Sequence, residues 1–182
     1  MVEESQRCQQ LIGLFNELFL NTYNTELVLG GDEPIYLPAT ADYPHHRVIF
    51  AHGYFSSALH EISHWCIAGS ERRLLEDFGY WYRPDGRTAV QQAEFELVEV
   101  KPQALEWLFN RACGVSFRIS CDNLSGETTD TTRFKDRVYQ QVLDYLEQGL
   151  AARPRMLVER LGQFYQLPAL TPDQFRRQDL DW

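Results

Sequence analysis

The sequence predicts an α+β fold in a single domain, residues 1–182, in which a small mixed sheet packs with helices. Apolar residues at helical spacing open the chain, short apolar runs bounded by glycine and proline follow, and helical periodicity returns in the second half. A length of 182 residues suits one domain, and no repeat, low-complexity tract or clear linker divides it. These observations favour one core shared by helices and sheet.

The first part of the chain is expected to form a helix and three short strands. Leu11, Phe15 and Leu18 recur at helical spacing, and this amphipathic helix is expected to end by Asn24. The strands are the short apolar runs that lie between glycine and proline residues, at positions 26–29, 35–37 and 47–51.

A second helix is expected at residues 58–68, with two candidate N-cap serines before it and Gly69 at the C′ position after it. The aromatic run at residues 78–82 is expected to be a strand. A proline and a glycine then predict a tight turn at residues 83–86.

Thr88 and Gln91 form a capping-box pattern that predicts the start of a third helix. Pro102 is expected to interrupt or kink this helix after about Val100. The remaining expected elements are a helix at 103–113, a strand at 115–120, a polar loop at 122–131 and a helical C-terminal third.

Composition narrows the classes of function. The net charge of −9 argues against sequence-independent binding to DNA or RNA, which needs a basic surface. No apolar run approaches the length that spans a bilayer, and no signal peptide is expected. The four cysteines lack Cys-x-x-Cys spacing, which favours reduced thiols in a cytoplasmic protein over a zinc knuckle or disulfide framework. We therefore expect no direct nucleic-acid partner and no membrane partner.

The motif His60-Glu61-Ile62-Ser63-His64 predicts a site for one divalent metal ion. Residues four apart lie on one face of a helix, so both imidazoles can point at the same ion. Neutral imidazole binds zinc, iron, copper and nickel. The alternative is a pair of buried histidines whose ring nitrogens are satisfied by hydrogen bonds in the core.

A third ligand is expected to be a carboxylate. Glu99 is the preferred candidate, because a carboxylate among apolar residues is costly unless it is paired or metal-bound. Glu96 and then Glu71 are the alternatives, and an ion pair with Lys101 or Arg111 is the alternative role for Glu99. The other histidines are expected in loops: His45, His46 and His52.

A metal site of two histidines and one carboxylate is typical of two classes of enzyme. With zinc, the site is that of a hydrolase, in which Glu61 moves the proton of a metal-bound water. With iron(II), it is the facial triad of oxygenases that use O2. Composition does not separate the two.

Longer segments of the sequence do distinguish the zinc hydrolase from the iron(II) oxygenase. Residues 60–69 (HEISHWCIAG) resemble the elongation factor P hydroxylase family. Further strings that fit the family follow the same order along most of the chain, at residues 32–38, 77–82, 84–87, 98–105 and 120–124.

The resemblance implies a specific activity. Members of this bacterial family hydroxylate the lysine of elongation factor P after that lysine has received a β-lysyl group. The family is similar in fold to a metal-dependent ribonuclease family and lacks the double-stranded β-helix of the usual oxygenases. The resemblance implies His60 and His64 as metal ligands, Fe(II) as the metal, O2 as co-substrate and β-lysylated elongation factor P as partner.

Some roles stay open under this resemblance. The ribonuclease family takes its third ligand shortly after the metal helix, which keeps Glu71 as an alternative to Glu99. Glu61, the catalytic candidate, then orients a ligand or binds the substrate's ammonium group. The aromatic residues 80–82 either line a channel for the substrate's aliphatic stem or pack in the core. The alternative functions are a zinc-dependent hydrolase, peptidase-like or a nuclease, and a binding protein with a structural metal.

Overall fold

Helix α1 (Glu4–Tyr23) begins the fold and confirms the predicted amphipathic helix. The computed structural model describes residues 3–79, 86–120 and 130–181 of the chain. The buried side chains of α1 recur every three or four positions along one face: Cys8, Leu11, Leu14, Phe15 and Phe19. The helix ends at Asn24, whose φ of 50° lies in the left-handed region that asparagine tolerates better than most residues.

A three-stranded mixed sheet follows α1. It consists of β1 (Thr25–Leu29), β2 (Ile35–Leu37) and β3 (His46–Phe50), with β3 in the centre. β1 runs parallel to β3, and β2 runs antiparallel to it. Leu27 and Tyr36 both pair with Val48, and these three buried side chains face the core. The predicted small mixed sheet is confirmed, with each strand within one residue of its expected bounds.

Helix α2 (Phe55–Ile67) carries the two-histidine motif and packs against β3. Its fully buried Trp65 contacts the rings of Phe15 and Phe19 at 5.1 Å and 4.8 Å between centroids. Because Trp65 is fixed against α1, the rotation of α2 about its own axis is fixed as well, and with it the direction of His60 and His64.

The start of α2 differs from the prediction. The helix begins three residues earlier, and the N-cap position is Tyr54, which makes no capping hydrogen bond through its side chain. The two serines expected as N-caps therefore lie inside the first turn. The Phe55 amide instead donates to Glu4 Oε1 of α1 at 2.8 Å. A carboxylate from α1 therefore takes the place of an N-cap side chain at the N-terminus of α2.

Helix α3 (Ala89–Ala112) packs against α2 and supplies the other side of the candidate site. The predicted capping box of Thr88 and Gln91 is present. The interruption expected at Pro102 is wrong, because α3 is one continuous helix of 24 residues that includes Pro102. An internal proline costs about 3 kcal/mol. The burial of Leu105, Leu108 and other apolar side chains beyond it, each contributing roughly 1.5–3 kcal/mol, offsets that cost.

Two helices complete the fold and confirm the helical C-terminal third. Helix α4 (Thr132–Gln148) and helix α5 (Ala152–Tyr165) both pack on α3. Short 3-10 helices occur at Arg72–Leu74, Glu76–Gly79, Pro172–Gln174 and Arg177–Leu180. No helix in the described ranges combines the length and the apolar character needed to cross a membrane.

The strand expected at residues 115–120 is wrong. This segment joins no sheet in the described part of the chain. The Ser120 backbone hydrogen-bonds instead to the Gln103 side chain of α3, so a side chain takes the place of a neighbouring strand. Phe117 is buried against Trp107 and holds the segment to α3.

The aromatic strand expected at residues 78–82 is also wrong where it is described, because residues 78 and 79 end a 3-10 helix. Residues 80–82, most of the predicted turn at 83–86 and most of the predicted loop at 122–131 lie outside the described residues. The described ranges form one α+β domain of five α-helices and the three-stranded sheet, and they contain no double-stranded β-helix.

Candidate metal centre

Helix α2 presents His60 and His64 from one face. They are one turn apart, and their Nε2 atoms lie 3.1 Å from each other. The two side chains are 23% and 13% exposed, so the pair sits at the edge of the core. Two nitrogen ligands that are each about 2.1 Å from one ion lie roughly 3 Å apart, and the observed separation fits that arrangement.

Glu99 of α3 completes a three-residue group with these histidines. Its Oε1 lies 3.1 Å from His64 Nε2, and its Oε2 lies 3.7 Å from His60 Nε2. Donor atoms of the three residues all lie within 4.8 Å of one another. The sequence prediction that Glu99 lies with the two histidines therefore agrees with the geometry.

The environment of Glu99 fits a bound cation. Its side chain is 1% exposed, and its Oε1 is buried and accepts no hydrogen bond. A buried acceptor without a partner costs about 1–3 kcal/mol, and more when it is charged. A divalent ion among the two imidazoles and the carboxylate would satisfy this oxygen. Two imidazole nitrogens and a carboxylate oxygen are a donor set that suits zinc or iron(II).

Two more side chains of α3 hold these donors in place. Glu106 Oε2 lies 2.9 Å from His60 Nδ1, the nitrogen that does not face the group. Gln103 donates through Nε2 to Glu99 Oε2 at 3.3 Å and to the Ser120 carbonyl at 2.6 Å. The Ser120 amide returns a hydrogen bond to Gln103 Oε1 at 2.9 Å. Gln103 therefore ties the carboxylate of Glu99 to the segment that follows α3.

Sequence reasoning missed Gln103 and Glu106, although the sequence carries a signal for both. Four polar residues of α3 recur at intervals of four, three and four positions and are all buried: Glu99, Gln103, Glu106 and Asn110. That spacing places them on one face of a helix. A stripe of buried polar residues along one helix face is typical of a site rather than of core packing.

In the metal-free protein, nearby charges shift the pKa values of His60 and Glu99. Burial lowers the pKa of His60, but the hydrogen bond to Glu106 and the charges of nearby glutamates outweigh it and raise the pKa to about 10. Burial raises the pKa of Glu99, but the charges of His64 and His60 and the Gln103 hydrogen bond lower it to about 2. Glu99 is therefore an ionised ligand at neutral pH.

A cavity of about 360 Å³ opens beside His60. Glu61 and Glu106 line it from the two helices, four serines contribute to its wall, and Arg118 faces it from the segment after α3. Burial raises the pKa of Glu61, while His60 and His64 lower it. This volume lies near the lower end of the roughly 300–1,000 Å³ of small-ligand sites, so the cavity suits a single side chain or a small molecule.

The other candidate ligands lie elsewhere. Glu71 is exposed and precedes a 3-10 helix. Glu96 accepts a hydrogen bond from Gln92 at 3.2 Å, and neither it nor Glu71 belongs to the three-residue group found in the described ranges. In the described ranges Glu99 forms no ion pair with Lys101 or Arg111, which was its alternative role. Arg111 pairs with Asp179 instead.

The loop histidines take no part in the group. His45 contacts Asn24, and His46 accepts a hydrogen bond from the Ala39 amide. His52 is exposed and stands next to Tyr54. His46 begins β3 rather than lying in a loop, because its backbone pairs with Thr25 of β1.

Comparison with known proteins gives a matching family and a similar curated protein. A family model described as elongation factor P hydroxylase matches residues 14–175. A curated protein of Haemophilus influenzae named elongation factor P lysine hydroxylase is 54% identical over 159 residues, which cover 87% of this chain and 89% of that protein. Both matches include α2, α3 and the three residues of the group.

Proposed function

The chain belongs to the elongation factor P hydroxylase family, and from this premise we propose that it hydroxylates a lysine of elongation factor P that carries a β-lysyl group. Membership makes the chain an enzyme, a hydroxylating oxidoreductase. The observation that carries the proposal is the 54% identity to a named lysine hydroxylase over almost nine-tenths of both chains. Because that substrate is a translation factor, we infer a cytoplasmic enzyme.

We propose His60, His64 and Glu99 as the ligands of an iron(II) ion. The close approach of their donor atoms and the unpaired Glu99 Oε1 support this assignment. Iron(II) held by two imidazoles and a carboxylate would supply the redox chemistry by which one atom of O2 hydroxylates a C–H bond, while a two-electron donor reduces the other atom. Three protein ligands would leave positions on an iron(II) ion open for exchangeable ligands.

The protein's own contribution is to position the substrate and exclude water. We infer that the substrate's side chain enters the cavity beside His60. A β-lysyl-lysine side chain is long and cationic, and Glu61 lines the cavity with no hydrogen bond or ion pair to another described residue. A carboxylate in this place attracts an ammonium group and fixes how deep the chain enters. Glu61 then binds substrate rather than acting as a general base.

A zinc-dependent hydrolase is the second candidate function, since Glu61 lies in the motif position of a hydrolase's general base and faces the cavity. Under that mechanism zinc would be retained, and a peptide or RNA would be cleaved. Family membership favours hydroxylation over cleavage of a peptide or of RNA.

The experiment that tests the proposed function uses the whole protein. The chain is loaded anaerobically with Fe(II) and mixed under air with β-lysylated elongation factor P and an excess of a two-electron reductant, because one atom of O2 enters the product and the other must be reduced. The intact mass of elongation factor P is then measured. We expect a gain of one oxygen, which His60→Ala or His64→Ala abolishes. Unmodified elongation factor P serves as the matched substrate control and is expected to gain none. Absence of any gain with properly loaded iron and the reductant present would rule the activity out.

A further inference from the structure

Glu106 is a buried carboxylate that contacts a proposed metal ligand without belonging to the ligand group. Its Oε2 lies 2.9 Å from His60 Nδ1, and its side chain is 8% exposed. The group of donor atoms that converge consists of His60, His64 and Glu99. Glu106 therefore acts on the opposite side of the His60 ring.

The position of Glu106 determines which His60 nitrogen carries the proton. A neutral imidazole has one N–H, and the other nitrogen holds a lone pair. A carboxylate beside Nδ1 favours the form with the proton on Nδ1 and the lone pair on Nε2. His60 Nε2 is the atom that faces His64 Nε2 at 3.1 Å and Glu99 Oε2 at 3.7 Å. The hydrogen bond thus directs the lone pair into the ligand group and fixes the plane of the ring.

Core packing alone does not account for a glutamate at this position. The Glu106 side chain is itself buried, and a buried carboxylate costs free energy unless it is hydrogen-bonded. Asn110, one turn further along, donates to the Glu106 backbone carbonyl and leaves the carboxylate for His60. An apolar residue of similar size would pack here at lower cost.

We propose that Glu106 is a positioning residue that holds His60 with its proton on Nδ1 and its Nε2 directed at the metal. The proposal rests on the metal centre proposed above and adds a residue outside the three-residue ligand group. Within the described residues no carboxylate does the same for His64, so the two histidines are held by different means.

Zinc affinity tests the proposal without substrate or O2. The dissociation constant is measured by competition with a chromophoric chelator for the wild type, Glu106→Ala, Glu106→Gln and the exposed control Glu94→Ala on the same helix. We expect Glu106→Ala to bind zinc roughly 10- to 100-fold more weakly. Glu106→Gln keeps an oxygen that accepts the Nδ1 proton, so it is expected to recover most of the affinity. Glu94→Ala is expected to match the wild type.

A second measurement keeps the proposal testable if Glu106→Ala does not fold. In the zinc-loaded wild type, the imidazole Nδ1 proton of His60 is expected to give a separate NMR signal protected from exchange with water. An unprotected Nδ1 proton, or wild-type zinc affinity in Glu106→Ala, overturns the role of Glu106 and leaves the metal centre standing. Failure of the wild type to bind zinc overturns both.

Discussion

Glu99 Oε1 on α3 lies 3.1 Å from His64 Nε2 on α2, and this buried oxygen accepts no hydrogen bond. The two helices meet at this point through imidazole and carboxylate groups whose arrangement fits a cation between them. Because the group exists only in the folded chain, a metal that binds it stabilises the native state by mass action. The contact therefore links metal binding to the packing of α2 on α3.

Glu99→Ala is expected to lose its metal. The substitution removes the only carboxylate of the described three-residue group, while Glu71→Ala and Glu96→Ala leave the group intact. Metal content per chain after dialysis against a weak chelator measures the effect. Glu96→Ala is the matched control, because it changes the same residue type on the same helix one turn away. Retention of metal by Glu99→Ala together with loss in either control would assign the third ligand to the other residue.

Metal affinity is expected to rise with pH. In the metal-free protein the pKa of His60 is raised to about 10, so at neutral pH an incoming ion must displace a proton from the ring. Glu99, with its pKa lowered to about 2, contributes no proton. Affinity should therefore increase about tenfold per pH unit around neutrality. Calorimetric zinc titrations in two buffers of different ionisation enthalpy should show release of about one proton per ion.

The raised pKa of His60 also predicts how the stability of the metal-free protein depends on pH. The folded-state pKa of His60 lies above its ordinary value of 6.5. The protonated ring therefore stabilises the folded state fully below about pH 6.5, and this contribution is lost as the pH rises towards 10. Urea unfolding of the metal-free chain at a series of pH values measures it. Metal-free His60→Ala should lack this pH dependence, and an equal dependence in both proteins would contradict the assignment to His60.

The fold follows from local sequence signals except where tertiary contacts override them. The strands at β1, β2 and β3 are short, apolar and bounded by glycine and proline, and all three were predictable. Pro102 does not break α3, because burial of the following residues outweighs a local preference. The alternation of residues 115–120 indicates an extended backbone, but their hydrogen-bond partners are not another strand, and sequence alternation carries no information on that.

Helix periodicity predicts the relations between site residues on one helix, but not how the two helices of the site pack together. His60 and His64 are four residues apart, which fixes their relation within one helix. Glu99 was favoured by its apolar neighbours, but which turn of α3 faces α2 depends on how the two helices pack. Glu106 and Gln103 share the helix face of Glu99, and the spacing of that polar stripe was the available signal.

Glu61→Gln is expected to raise KM for β-lysylated elongation factor P while the metal content stays unchanged. The amide keeps the shape of Glu61 but loses the charge that faces the cavity. Hydrogen bonds to charged groups contribute roughly 1.5–3 kcal/mol, which corresponds to an increase in KM of about 10- to 100-fold. Steady-state kinetics separate the two roles: a fall in kcat with KM unchanged would point to a general base and to the hydrolase alternative.

Gln103→Met is expected to destabilise the fold and weaken metal binding together. The fully buried Gln103 amide hydrogen-bonds the Ser120 backbone in both directions and the Glu99 carboxylate. Methionine keeps the volume but leaves buried polar groups unpaired, at about 1–3 kcal/mol each. Denaturant unfolding gives the free energy, and Glu94→Met at an exposed position of α3 is the control. An unchanged free energy of unfolding would show that the Ser120 hydrogen bonds contribute little.

The most direct test of the metal centre is anomalous diffraction from a crystal of the iron-loaded protein, measured on both sides of the iron absorption edge. We expect one iron peak per chain, bonded to His60 Nε2, His64 Nε2 and a carboxylate oxygen of Glu99. An iron peak bonded to the two histidines and a different carboxylate would contradict the assignment of Glu99. An iron peak away from both histidines, or no peak in a fully loaded crystal, would contradict the centre itself.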